Sequence, residues 1–529
     1  MNETILKQHA PEKKYPATDV MDLKAYAAVF AAVIFLLCAP IWLVRHVPLM
    51  DYPNHLARMY ILHHLNEAPE FATQYDISLN PIPNLAMDLV VPVLLSVVSL
   101  QTAGKIFLTL TVLVFCLGCH IFGRTLHGRA TWLAPLCAFL SYNMMFLTGF
   151  VNYVFGVGMF LIAFAAWLRF HPHWTVWRFL LVTVLFFASY LAHLSAYSFL
   201  GFSCVVVCAA DVLAARRIRL ATIVSLVPLV PPVIAFKAFM SSGGTVGKIV
   251  WSTVLDKLKD FSVLFRTYDH LFDLLFAIAL TTVVAIVLSR CKVVWKDARV
   301  FAAGCFLVFL YLAFPKTLFT SWGTDIRFLP PAALLIGLSG QLMLRRSVAR
   351  TAFFLVCVIL LVRMGAIYQA WNEMDPRIET QLRLIEKLEP GARVYPITLY
   401  EDPYSRGRAV KRTLRHTIHY ATIERHTYVP SLFAIASQQP LRFKVPPKSR
   451  GIEVYEPPSG VKWDEVFANY DYVWGSNLTP NYFRFLNEKC ELVAATADDQ
   501  LFRIRKSTGA SAAARVAESP KQGLERRGQ

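Results

Sequence analysis

A carboxylate and an imidazole stand close together just after the first long apolar run of this chain. The segment PLMDYPNHLARMYILHHL, Pro48 to Leu65, carries Asp51, Asn54, His55 and Arg58 at spacings of one to four residues. On a helix beginning near Pro53, several of these side chains share one face. A carboxylate and an imidazole at the mouth of an apolar bundle are placed for proton transfer. The competing reading is structural, with Asp51 capping the helix that follows.

A second set is cationic. Arg327, Lys237 and Arg363 lie at the ends of apolar runs, where a charge is costly unless it faces a cavity or a partner, or snorkels to the headgroups. An arginine can grip phosphate oxygens bidentately, and Arg327 has Asp325 beside it. A third set, Asn143, Asn152, Tyr153, His193 and Ser195, falls at helix ends on the same side as Asp51. Each alone suits a helix–helix hydrogen bond, and together they suit a shared cavity. The run HTIHYATIERH, His416 to His426, lacks the spacing of a zinc signature, and no phosphate-cradling glycine loop appears on a strand-to-helix turn. No metal ligand set is read from the sequence.

These residues are positioned by membrane helices. The chain has 529 residues, 56% hydrophobic and 17% charged, against roughly 25% charged in a soluble domain. Apolar runs long enough to cross a bilayer recur from Ala25 to Tyr368. Crossings are expected near 25–45, 103–122, 131–148, 150–168, 178–195, 197–214, 220–237, 270–289, 299–315, 328–344 and 350–368, about eleven transmembrane helices. The first run is too long for a signal-peptide core and has no cleavage site, so it reads as an uncleaved helix. The net charge of +18 lacks a basic stripe with interleaved aromatics, which argues against nucleic acid. Nine of the ten cysteines lie in or beside apolar runs and form no visible disulfide or metal pattern.

Charge sets the topology. One set of short connections carries fourteen basic residues (Arg124, Arg129, Arg169, Arg178, Arg216, Arg217, Arg219, Arg290, Lys292, Lys296, Arg299, Arg345, Arg346 and Arg350) against the single acid Asp297. That side is expected to be cytoplasmic. The apolar stretch Met87 to Leu100 has fourteen residues and Pro92, and counting it as a crossing would destroy this pattern. It is expected to be interfacial or re-entrant.

The resulting plan has a cytoplasmic tail over 1–24, a transmembrane domain over 25–368 with an external loop over 45–102, and an extracytoplasmic α/β domain over 369–505. A disordered tail follows over 506–529. Expected elements of the α/β domain are helices RIETQLRLIEKL, WDEVFANY and NYFRFLNEK with strands RVYPITLY, DYVWG, ELVAAT and QLFRIRK. Residues 238–269 form a second external loop containing WSTVLDKLKDFSVLF, which has amphipathic helical spacing.

The chain resembles the GT-C glycosyltransferases, integral membrane enzymes that use polyprenyl-phosphate sugars. Pro48, Asp51 and His55 match a P-x-x-D-E-x-x-H-like context in the first external loop, with Tyr52 where a second acid is often found. TGFVNYVFGVG, Thr148 to Gly158, is similar to a helix start of bacterial members, and WGTDIRFLPPAALL, Trp322 to Leu335, looks like an R-[FY]-x-x-P element. The likeness covers most of residues 20–505.

The resemblance implies an inverting glycosyltransferase of the bacterial inner membrane, moving a hexose or pentose from a polyprenyl phosphate to an acceptor hydroxyl at the outer face. In it Asp51 is the general base, His55 orients it or binds acceptor, and Arg327, with Arg363 or Lys237, holds the donor phosphate. Asn54, Arg58, Asn152, Tyr153, His193 and Asp325 line the cavity. Expected partners are the lipid-linked donor, membrane lipids, and a saccharide, lipid or protein acceptor. No cofactor is certain, and a divalent cation stays open. The alternatives are a transporter or flippase of lipid-linked saccharide, and a non-catalytic membrane assembly subunit.

Overall fold

Each of the eleven expected crossing positions contains a helix in the computed structural model. It describes residues 23–171, 173–239, 249–318, 321–399, 412–435, 438–453 and 457–506. Among the described residues, seven helices are long and apolar enough to cross a membrane: Leu23–Leu43, Leu100–His127, Val151–Phe170, Leu194–Ala215, Leu220–Phe239, His270–Ser289 and Ser347–Ile385. Four shorter apolar helices, Leu133–Leu147, Val176–Ala192, Ala298–Ala313 and Ile326–Ser339, occupy the other positions. The chain is a polytopic α-helical membrane protein with a C-terminal region that contains β-sheet. Most of the expected tails, 1–22 and 507–529, lie outside the described residues.

The bundle is tight where side chains are small. A Cβ on Gly118 would lie 2.7 Å from the carbonyl of Gly158, and one on Gly158 would lie 2.7 Å from the backbone of Phe115. Helices Leu100–His127 and Val151–Phe170 therefore meet backbone to backbone, as small residues allow in lipid.

The stretch after Asn84 forms only a nine-residue helix, Ala86–Leu94. At 1.5 Å per residue it spans about 13 Å, far short of a hydrocarbon core. Met87 and Val91 are buried while Leu89 and Val93 are exposed, so one side packs and the other does not.

Two expected boundaries move. The crossing over 328–344 ends as a helix at Ser339, and Gly340–Met343 continues as a strand antiparallel to Lys292–Trp295. The helix expected from Arg377 is not separate from the last span: Arg346–Ile385 is one helix of 40 residues with Pro376 inside. Falling hydropathy after Tyr368 marks a change of surroundings, not of backbone. Trp371, Met374 and Ile378 remain buried at helical spacing.

The chain divides into two compact units. One contains residues 378–402, 417–432 and 445 onward. Its sheet has strands β1 (Val394–Thr398), β2 (Tyr472–Ser476), β3 (Cys490–Ala495) and β4 (Asp499–Ile504) in the order β1-β2-β4-β3. β1 and β2 are parallel, and the other pairs are antiparallel. Helices Trp463–Asn469 and Pro480–Lys489 lie where the pattern predicts them.

The other unit is the helical bundle, which takes in residues 403–416 and 433–444 as well. Strand Leu441–Phe443 pairs antiparallel with Tyr75–Ile77 of the first loop, Tyr75 opposite Phe443 and Ile77 opposite Leu441.

Candidate functional site

The turn that carries Asp51 is held from several directions. The amides of Arg45 and His46 donate to the Asp375 carboxylate at 2.7 and 2.8 Å. Lys105 donates to the Val44 carbonyl at 2.6 Å, and the Tyr268 hydroxyl donates to that of Pro48 at 3.3 Å. The Asp51 amide donates to the Thr148 carbonyl at 3.2 Å. Gly149 has φ +91°, and a Cβ there would lie 2.7 Å from the Asp51 nitrogen. Only glycine suits both that dihedral and that approach.

Asp51 precedes helix Tyr52–His64, but its side chain makes no capping hydrogen bond. One carboxylate oxygen instead lies 3.4 Å from Nε2 of His416 and 3.5 Å from a terminal guanidinium nitrogen of Arg415. Burial alone would push this carboxyl up. The contact with His416 and the charges of Arg415 and His416 outweigh it and hold the group below its ordinary 3.8.

His55 is buried and pushed down to about 3, first by burial and then by the Arg58 charge, with Asp51 and a backbone hydrogen bond to Gly149 opposing. It is a neutral imidazole at neutral pH, and its Nδ1 has no hydrogen-bond partner among the described residues. The ring of Phe433 stands edge-on between two imidazoles, with centroids 5.4 Å from His55 and 5.6 Å from His416. Its amide donates to Asn54 Oδ1 at 2.7 Å.

Arg58 is fully buried in a bidentate pair with Asp88 at 2.8 and 2.9 Å. It ties Tyr52–His64 to the short helix Ala86–Leu94. Asn152 accepts from the Met87 amide at 2.8 Å and donates to the Asn84 carbonyl at 2.8 Å. Both residues brace the first loop.

A second cluster surrounds Arg327. One terminal nitrogen donates to Ser321 Oγ at 3.0 Å and to the Trp322 carbonyl at 2.8 Å. The guanidinium lies 5.2 Å from the Phe150 ring centroid, and its Nε has no partner among the described residues. The Tyr153 hydroxyl donates to the Arg327 carbonyl at 2.7 Å, and its ring meets His193 edge-on at 5.5 Å. Asp325 pairs with Lys257 at 2.6 Å. The sequential neighbours Gly149 and Phe150 thus touch Asp51 and Arg327 in turn.

Arg363 donates to the carbonyls of Phe265 and Tyr142 at 3.0 and 2.6 Å and is fully buried. Lys237 is exposed near the end of its helix. Asn143 caps Met144–Leu147 and His193 caps Leu194–Ala215.

Sequence reasoning missed Arg415, Phe433, Asp88, Lys257 and Asp375, and assigned His416 no contact with Asp51. Arg415 lies 364 positions from Asp51, a separation that no local spacing bridges. Among the described residues, no group of three or more His, Cys, Asp or Glu could hold a metal ion.

No protein-family model matches the chain, and no curated protein sequence matches it. Among solved structures it is similar to the crystal structure of ArnT from Cupriavidus metallidurans bound to undecaprenyl phosphate. The TM-score is 0.47 at 11% identity, over 91% of this chain and 98% of that one.

Proposed function

We propose that this protein is a GT-C-type glycosyltransferase that moves a hexose or pentose from a polyprenyl phosphate to an acceptor hydroxyl, with inversion at the anomeric carbon. The observation that carries the reading is Asp51. Its carboxylate is buried, released from helix capping, and held low by the basic groups His416 and Arg415. It therefore stays ionised and able to accept a proton.

In this reading Asp51 takes the acceptor hydroxyl proton as that oxygen attacks the anomeric carbon. The bond from that carbon to the phosphate oxygen breaks, and its electron pair leaves on the polyprenyl phosphate. Neutral His55 offers an imidazole to the acceptor, with Asn54 fixed through Phe433 beside it. Arg327 holds the departing phosphate, because its guanidinium is buried and keeps an uncommitted Nε–H. Arg363 is spent on carbonyls and braces the bundle, and exposed Lys237 is left to the headgroups.

The basic short loops put the N-terminus in the cytoplasm. Asp51 and the C-terminal sheet are then on the outer face of a bacterial inner membrane. The test is Asp51→Asn in purified protein, with mass spectrometry of co-purifying lipid. A general base is worth about 10²–10⁴ in rate. A loss of that size with donor lipid still bound supports the reading, and unchanged transfer overturns it.

A further inference from the structure

The helix between the spans Leu220–Phe239 and His270–Ser289 is inside out. It runs as Val254–Asp260 and continues as a 3-10 turn, Phe261–Leu264. Trp251, Val254, Leu255, Leu258 and Phe261, at helical spacing, are between 40% and 80% exposed. Within Val254–Asp260 the buried residue is a lysine, and Val263 is buried in the turn that follows. Lys257 donates to the carbonyls of Tyr311 and Phe314 at 2.7 and 2.9 Å and to Asp325 at 2.6 Å.

Three bonds to one ammonium set the helix's rotation, and Thr253 with Asp256 closes a capping box at its start. A loop helix in water would turn that lysine out and the leucines in. The apolar stripe here must meet something other than water.

We propose that residues 249–264 lie in the plane of the bilayer, with this stripe in the outer-leaflet acyl boundary. The occupant follows from continuity. The span that comes directly after exposes Leu271, Leu274, Leu275 and Ile278 at 55–65%, the surface that its crossing gives to lipid. The stripe ends a few residues before that surface begins, while Lys259 is exposed on the same turn, where it meets headgroups. Through Lys257 and Asp325 the helix also pins the turn bearing Arg327, so lipid packing on one side steadies the cation on the other.

The test replaces Leu255, Ile278 and Glu488 one at a time by the photoreactive p-benzoylphenylalanine, in the full chain in phospholipid nanodiscs. Phospholipid adducts at Leu255 matching those at Ile278, with none at Glu488, are expected. A Leu255 position that behaves like Glu488, or that cross-links chain to chain, overturns the proposal. Melting of each variant in detergent at the wild-type temperature establishes that it is folded.

Discussion

Asp51 and His416 face one another, with a carboxylate oxygen 3.4 Å from the imidazole Nε2. The contact converts a residue in helix-capping position into a buried acceptor. Removing the charge by Asp51→Asn leaves the basic side un-neutralised, so the variant loses turnover and also melts lower. The two effects are separable because the proposed mechanism assigns donor lipid binding to Arg327.

His55 gives stability a pH dependence. Its folded value near 3 lies below the ordinary 6.5, so the unfolded chain takes up a proton that the folded chain refuses. Stability is expected to fall as pH drops from about 6.5 toward about 3. Asp51 also has a lowered value, and its contribution is lost only as pH falls through that value, below the ordinary 3.8. Comparing wild type with His55→Gln in detergent between pH 7 and pH 4.5 therefore reads the His55 share apart from that of Asp51. The His55→Gln protein should show a flatter profile, and an unchanged slope counts against a neutral buried imidazole.

Gly149→Ala puts a methyl group 2.7 Å from the Asp51 nitrogen at φ +91°. The expected cost is about 1–3 kcal/mol of strain, relieved by moving Asp51. Transfer activity should fall more than melting temperature does. Retained activity would mean that the Asp51 turn tolerates displacement.

Asp88→Ala leaves the Arg58 guanidinium buried and alone, at a cost of about 3–5 kcal/mol. Its melting temperature should drop sharply, and the double variant Arg58→Met with Asp88→Leu should recover most of the loss. A single variant as stable as wild type would show that the pair carries no structural weight.

Arg327→Lys keeps the charge and loses the planar fork. With hydrogen bonds to a charged group at about 1.5–3 kcal/mol each, the Kd for a polyprenyl phosphate should rise roughly ten- to hundredfold. Arg363→Lys should instead lower stability, since its partners are the carbonyls of Tyr142 and Phe265. Equal binding by the Arg327→Lys protein would remove this residue from the phosphate site.

Much of this molecule is written locally. Apolar run length sets where helices form, and short runs of strand-forming residues bounded by turn signals set where β1, β2, β3 and β4 form, because both depend on neighbours a few residues away. The loop bearing Asp51, Asn54, His55 and Arg58 was legible for the same reason: all four fall within eight residues. Their duties were not legible. Local spacing offers Arg58 and Asp325 as cavity residues but not the ion pairs they make with Asp88 and Lys257. The lysine of an ordinary amphipathic pattern turns inward because three acceptors, at the end of helix Ala298–Ala313 and at Asp325, converge on it. Arg415 and His416 reach Asp51 only because a C-terminal segment folds back onto the bundle. Pairing of charges across hundreds of residues is decided by which backbone segments pack together, and only the tertiary structure holds that information.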